Sequence, residues 1–241
     1  MSYLGYIAPI CRDHLAEHTY PKILEIGVEH GLATLPLIQN LASRFEQFFY
    51  AGIDISVKYE VQEQVAQFVN INFVNETECI TGRDVFFFEE NSLNWLQQGC
   101  PMNMKYDVVF LDGDHNYFTV TNELKLIQSI IKPTSIIVCD DYNGKWAEKD
   151  MFYADREGYE SNKLATQNTF SEKQGIKNAI DDFINRNKNT WSSFSVLDTD
   201  PAFLFRKDMY ACTIDDQIHQ GRIMGNFNVR DMNFSLKKLD N

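Results

Sequence analysis

Paired cysteines are the first thing this 241-residue sequence lacks. Cys11, Cys79, Cys100, Cys139 and Cys212 are odd in number and no two form a C-x-x-C pair. That argues against a disulfide framework or a structural zinc site and for a reducing compartment. Six prolines and twelve glycines are too few for a collagenous or low-complexity chain. No run approaches the roughly 18 apolar residues of a membrane span. Met1 to Cys11 is mildly apolar but has no basic leader and no small-residue cleavage site, so a secretory signal is not expected. Positive charge is also short, with 22 Lys and Arg against 34 Asp and Glu, a net charge of -12. Phosphate backbones repel such a surface, which disfavours a nucleic-acid partner. The expectation is a soluble cytoplasmic protein with a small-molecule partner and no membrane partner, and a homo-oligomer stays open. An acidic balance is compatible with a site that concentrates a metal ion.

What is present is an alternation of short apolar runs with helical patterns. Lys22 to Ile26 (KILEI) reads as a buried strand, followed by a turn over Gly27 to Gly31. Leu35, Ile38, Ala42 and Phe45 then recur at helical spacing. Pro36 is tolerable only in a first turn, so that helix should begin near Ala33 or Thr34. Phe49 to Ile53 is a second strand, and Val61, Val65 and Phe68 mark a helix that Ser56 is placed to cap. The stretch from Asn70 to Gly82 is ambiguous. Val85 to Phe88, Tyr106 to Leu111 and Ser135 to Cys139 follow as strands. The stripe Tyr117, Val120, Leu124, Ile127, Ile131 is a helix that Lys132-Pro133 should stop. Ile176, Ile180, Phe183 and Ile184 form another. Phe194 to Leu197 and Phe203 to Phe205 are joined too tightly for a crossover helix, so they should be antiparallel. The pattern predicts an α/β fold: a Rossmann-like, doubly wound, mostly parallel seven-stranded sheet with an antiparallel last strand. Ligands in such sheets bind beyond the carboxyl ends of the strands.

Those ends are rich in chemistry. Glu25-Ile26-Gly27-Val28-Glu29-His30-Gly31 is an E-x-G-x-x-x-G turn in which Gly27 permits a sharp bend and Gly31 a close approach. Glu25 can accept hydrogen bonds from a cationic or ammonium-bearing ligand. Asp54 ends the second strand at the spacing that suits a ribose, although a helix-start Asp is the plainer alternative. Asn91 and Ser92 stand where an adenine edge would lie, and equally where helix caps would stand. The fourth and fifth strands end in Asp112-Gly113-Asp114-His115 and Asp140-Asp141-Tyr142. Four carboxylates and an imidazole at one edge repel unless a cation or a proton relieves them. Oxygen donors of that kind suit Mg²⁺, Mn²⁺ or Ca²⁺. Helix capping by Asp114 and a turn at Asp140-Asp141 would be the structural alternative.

The sequence resembles the class I S-adenosylmethionine-dependent methyltransferases. The resemblance is carried by ILEIGVEHG (Ile23 to Gly31), AGID (Ala51 to Asp54), YDVVFLDGDHNY (Tyr106 to Tyr117), IIVCDDY (Ile136 to Tyr142) and the closing hairpin. The D-G-D-H-x-Y and D-D-Y elements are similar to the subgroup containing the macrocin-type and catechol-type O-methyltransferases. The resemblance implies S-adenosylmethionine as cofactor, bound by Glu25, Gly27, Gly31, Asp54, Ser92 and Asp112. It implies a divalent metal, Mg²⁺ or Mn²⁺, on Asp112, Asp140 and Asp141, with Asp114 or His115 as base. The implied acceptor is a small hydroxylated molecule, a sugar or a catechol. Glu29 occupies the middle position where the leading motif often carries a glycine.

Residues 1–207 are expected to form the methyltransferase domain, with an aromatic, polar insertion at about 143–172 that would suit a substrate lid. Residues 208–241 form an extension without clear periodicity. His14, His18 and His219 read as surface or satisfied histidines, and Trp95 and Trp191 as packing residues. Two other functions remain open. Asp112-Gly113-Asp114 is formally the D-x-D of a metal-dependent glycosyltransferase, and the fold could serve as a non-catalytic ligand-binding domain.

Overall fold

The computed structural model describes residues 3–69, 82–99, 104–195, 200–213 and 235–238. Seven strands form one sheet in the order β3-β2-β1-β4-β5-β7-β6. They are β1 (Lys22–Ile26), β2 (Phe48–Asp54), β3 (Arg83–Glu89), β4 (Tyr106–Leu111), β5 (Ile131–Cys139), β6 (Trp191–Ser195) and β7 (Ala202–Arg206). β1 to β5 are mutually parallel, and β7 runs antiparallel between β5 and β6. This is the Rossmann-like, mostly parallel sheet expected from the strand pattern, and the closing strands pair antiparallel as expected.

Alternation along each strand sends side chains to two separate cores. Leu24, Ile26, Phe49, Ala51, Val109, Leu111 and Ile137 face one side. There α5 (Tyr117–Ile127) and α6 (Ile176–Arg186) supply Val120, Leu124, Ala179, Ile180 and Phe183. Ile23, Phe48, Tyr50, Val108, Phe110 and Val138 face the other side. That face is covered by α2 (Thr34–Arg44), by α3 (Tyr59–Ala66) and by a run of short helical turns over Tyr3–His14 that includes α1 (Ile7–Pro9). Burial on both faces is why the central strands read as uninterrupted apolar runs. Trp95, on α4 (Ser92–Gln98), and Trp191 are buried packing residues, as expected.

Two local expectations are corrected. Ser56 does not cap α3: the residue before that helix is Lys58, extended and without a side-chain cap. The Ser56 amide instead donates to Asp54 Oδ1 at 2.8 Å. The stripe from Tyr117 does not continue as helix to Ile131; α5 ends at Ile127 and Ile131 opens β5. Pro133 is accommodated inside that strand because the β4–β5 register shifts between Tyr106 and Val108, an irregularity of the sort where a missing amide is tolerated. The extension is partly ordered, with β8 (Tyr210–Thr213) antiparallel to β9 (Ser235–Lys238). His219 and the stretch 70–81 lie outside the described residues.

Candidate active site

The parallel registers bring the strand ends level. Ile26 is paired with Ile53 and with Leu111, Leu111 with Cys139, and Asp54 with Glu89. The residues that follow these positions therefore share one edge of the sheet.

The turn after β1 is shaped by left-handed backbone at three alternating positions: Gly27 (φ 95°), Glu29 (φ 43°) and Gly31 (φ 72°). At Gly27 a Cβ would lie 2.0 Å from the Asp112 carbonyl oxygen, so the turn crosses directly against the end of β4 and admits no side chain. At Gly31 a Cβ would meet Val61 at 2.8 Å, so this glycine lets the start of α2 settle on α3. Glu29 holds, without being glycine, a conformation that costs an L-residue about 1–2 kcal/mol.

Asp54 clamps this turn. Its Oδ2 accepts from the Val28 and Glu29 amides, each at 2.8 Å, and its Oδ1 from Ser56. A carboxylate has about four acceptor sites, so capacity remains for a ligand hydroxyl. Glu25 lies beneath the turn and is fully buried. Thr34 Oγ1 donates to it at 2.9 Å and the Tyr50 hydroxyl donates to it as well. Burial, and then the Glu25 charge, push the Tyr50 hydroxyl well above its ordinary pKa. Gly27 and Asp54 border the cavity described next, whereas Glu25 and Gly31 support the turn from behind.

That cavity is a cleft of about 500 Å³, open to solvent at one side. Ile26, Ile53 and Ile55 give it an apolar floor, and Ser92 and Asp112 to Asp114 give it polar walls. Tyr153, Tyr159, Ala165 and Thr166, from the segment after β5, complete its lining. The two tyrosine rings meet edge to face at 5.2 Å. The segment is tied down at several points. Asn162 Nδ2 donates to the Ile55 carbonyl at 2.8 Å, and the Met151 amide to that of His115 at 2.9 Å. Asn91 caps α4, its Oδ1 accepting from Leu93 and Asn94, while its Nδ2 donates to the Leu164 carbonyl at 2.8 Å. One residue thus serves the helix-cap role and also holds the covering segment.

At the far end of the cavity the acids crowd. Burial, followed by the charges of Asp140, Glu25, Asp141 and Glu29, raises Asp112 well above the carboxylate range. Asp114 is raised chiefly by burial, against hydrogen bonds from Thr119 Oγ1 at 3.1 Å and the Tyr153 amide at 3.4 Å. His115 is buried; its Nδ1 is 3.3 Å from Asp141 and its Nε2 is 3.8 Å from Asp112. Desolvation, helped by Arg156, pulls its pKa down to about 4, so the ring is neutral near pH 7. Asp141 has φ 56°, and its Oδ1 packs where a Cβ on Gly144 would be, 2.0 Å away. Burial and Asp200 raise its pKa. Asp140 is buried and shares a smaller cavity of about 220 Å³ with Asp112, His115, Cys139 and Glu123. Among the described residues, no three His, Cys, Asp or Glu side chains converge closely enough to hold a metal ion in this arrangement. The chemistry of the donor set, mutually repelling oxygen acids, still fits a hard divalent cation.

The sequence did not single out Glu123. It is buried on α5 between Val120 and Leu124, accepts from Ser92 Oγ at 2.6 Å, and has its pKa raised to about 8 by burial. An acid inside an apolar helical stripe is the signal that could have found it. The neutral acid faces Asp114, whose charge adds to the rise.

The sheet order and the aligned strand ends are those of a Rossmann-like methyltransferase fold. Residues 24–142, just under half of the chain, match the family model described as a methyltransferase domain. Among solved structures, the calicheamicin methyltransferase CalS11 is similar at a TM-score of 0.55 and 13% identity, over 84% of this chain and 77% of that one. Its ligand-free form, described as a TDP-rhamnose 3'-O-methyltransferase of calicheamicin biosynthesis, gives 0.51 and 15%, over 84% and 78%. The mycinamycin-pathway methyltransferase MycE, solved with Mg, S-adenosylhomocysteine (SAH) and mycinamycin VI, gives 0.46 and 16% over 80% of this chain. This chain spans 47% of the length of MycE. No curated protein matches the sequence. Among the described residues, no helix is long and apolar enough to cross a membrane.

Proposed function

We propose that this chain transfers a methyl group from S-adenosylmethionine to a hydroxyl of a small acceptor, a sugar or a catechol-like molecule. The observation that carries the reading is the clamped Gly27–Gly31 turn on Asp54, opening onto a cavity whose far wall is Asp112–Asp114. Asp54 and the turn would hold the ribose and methionine parts, and Ser92 would stand by the adenine. Glu25 and Gly31 would shape the turn from below. The segment at 143–172 would act as a lid that excludes water, its tyrosines closing the cavity.

Asp112, Asp140 and Asp141 would hold a divalent cation, Mg²⁺ or Mn²⁺. Bound there, it would lower the pKa of an acceptor hydroxyl and orient two adjacent oxygens. Asp114 or His115 would take the hydroxyl proton. The neutral imidazole has one nitrogen free to accept it, and burial raises the carboxylate toward a useful range. S-adenosylmethionine held by the turn would present its sulfonium methyl carbon to that oxygen in line, with the electron pair of the C–S bond leaving on sulfur. The description of CalS11 as a TDP-rhamnose 3'-O-methyltransferase agrees with a sugar acceptor.

The test is labelled-methyl transfer from S-adenosylmethionine to a panel of sugars and catechols, with chelator and then with added Mg²⁺ or Mn²⁺. Chelation should abolish product, and the metal should restore it. Turnover indifferent to chelator would leave a metal-independent methyltransferase.

A further inference from the structure

Just past the acids at the end of β5 the surface changes sign. Lys145 and Lys149, in the turn after Asp141, and Lys177, on the first turn of α6, wall an open cavity of about 810 Å³. Aromatic rings gather these cations. Lys145 Nζ and Lys149 Nζ both stand over the Trp146 indole, 4.3 and 4.9 Å from its centroid, and Lys177 Nζ stands 5.6 Å from that of Tyr142. Among the described residues, none of the three forms an ion pair within 4.0 Å, whereas Lys132 and Lys173 each hold an aspartate at 2.6 Å; the Lys145 charge reaches Asp141 from farther off and works to lower its carboxyl pKa. Glu148 is the sole acid among the residues lining the cavity. In a chain with net charge -12 this is a local inversion.

The patch is built from two elements locked to each other. The Ile176 and Lys177 amides donate to the Trp146 and Ala147 carbonyls at 3.1 and 3.0 Å. A Cβ on Gly175 would fall 2.3 Å from the Ala147 oxygen, so the turn and the start of α6 touch backbone to backbone. The patch also abuts the proposed acceptor site. The Gly144 amide donates to the Asp141 carbonyl at 3.0 Å, and Asn143 and Gly144 line the lysine cavity.

We infer that Lys145, Lys149 and Lys177 form an anion subsite that seats a phosphoryl group, the phosphate or diphosphate of the acceptor. Ammonium groups act as point charges that suit phosphate oxygens. Three of them held together repel one another, and a polyanion relieves that repulsion where a single carboxylate would not. An otherwise acidic surface repels a phosphorylated acceptor, so a local basic patch is what would bring one in. That the anion belongs to the acceptor rests on the methyl-transfer reading; the anion site itself does not.

The probe is inorganic pyrophosphate, titrated calorimetrically into the full chain at low ionic strength with chelator present. SAH is titrated separately into the same samples. Wild-type protein should bind pyrophosphate, and added salt should weaken that binding. The triple variant Lys145→Gln, Lys149→Gln, Lys177→Gln should lose affinity by about tenfold or more and bind SAH as wild type does. Lys149→Gln alone, at an exposed position, should show a partial loss. Absence of pyrophosphate binding by wild type, or equal binding by the triple variant, overturns the subsite. Absence of SAH binding with pyrophosphate binding intact would sink the methyl-transfer reading and leave the anion site standing.

Discussion

The two ends of the candidate active site are built on opposite principles. At the ends of β1 and β2, each acid has its donors. Asp54 accepts three backbone amides, and Glu25 accepts two hydroxyls. At the ends of β4 and β5, Asp112, Asp114 and Asp141 are raised toward protonation, chiefly by burial, and the charges of Asp140 and Asp141 raise Asp112 further. The first end is preorganised by the backbone and needs nothing further to keep its shape. The second carries an electrostatic cost that a cation or protons would remove. Such a contrast is expected where one end binds a constant donor molecule and the other does the chemistry.

The largest effect should come from destroying the first end. Gly27→Val places a branched side chain against the Asp112 carbonyl, at a φ that L-residues rarely adopt. Loss of detectable SAH binding and destabilisation of about 3 kcal/mol or more are expected, read by calorimetry and thermal melting.

Comparable in size is the effect of a proton held at the second end. Glu123 keeps its proton to about pH 8 in the folded chain, against 4.5 ordinarily. Its contribution to stability is therefore complete below pH 4.5, declines as pH rises across that window, and is gone above 8. The span is on the order of 4 kcal/mol. Urea unfolding across the window should show the decline, and Glu123→Gln should flatten it. An equal slope in that variant would assign the dependence to another group.

Asp54→Ala strands the Val28 and Glu29 amides and should weaken SAH by about 1–3 kcal/mol. If affinity is unchanged, the clamp has no bearing on the ligand. The smallest effect concerns Glu29. Glu29→Gly removes the left-handed strain and should leave stability within about 1 kcal/mol of wild type, in either direction, since glycine also frees the unfolded chain.

The sheet was legible in the sequence because strands buried on both faces appear as unbroken apolar runs between helical stripes. The aligned acids at their ends were legible for the same reason, since parallel register carries sequence position directly into space. The short turns over Tyr3–His14 were not expected as helices, and the seven-residue α4 was signalled only by its possible caps at Asn91 and Ser92; such elements are too brief for a period to emerge. Side-chain partnerships across the sheet were invisible as well. Glu25 looked ligand-facing because nothing in one sequence pairs it with Tyr50, 25 positions away. Asn91 could be read as cap or contact, and only the fold shows it reaching Leu164. Glu123 was passed over because a glutamate in a helix is usually on the wet side, and here the apolar stripe wraps around it.

The most direct test of the account is a calorimetric titration of SAH into wild type, Gly27→Val and Asp141→Ala. Wild type should bind saturably and one to one, with binding abolished in Gly27→Val and retained in Asp141→Ala, because Asp141 takes no part in the clamped turn. No binding by wild type, or binding that Gly27→Val leaves intact, would contradict it.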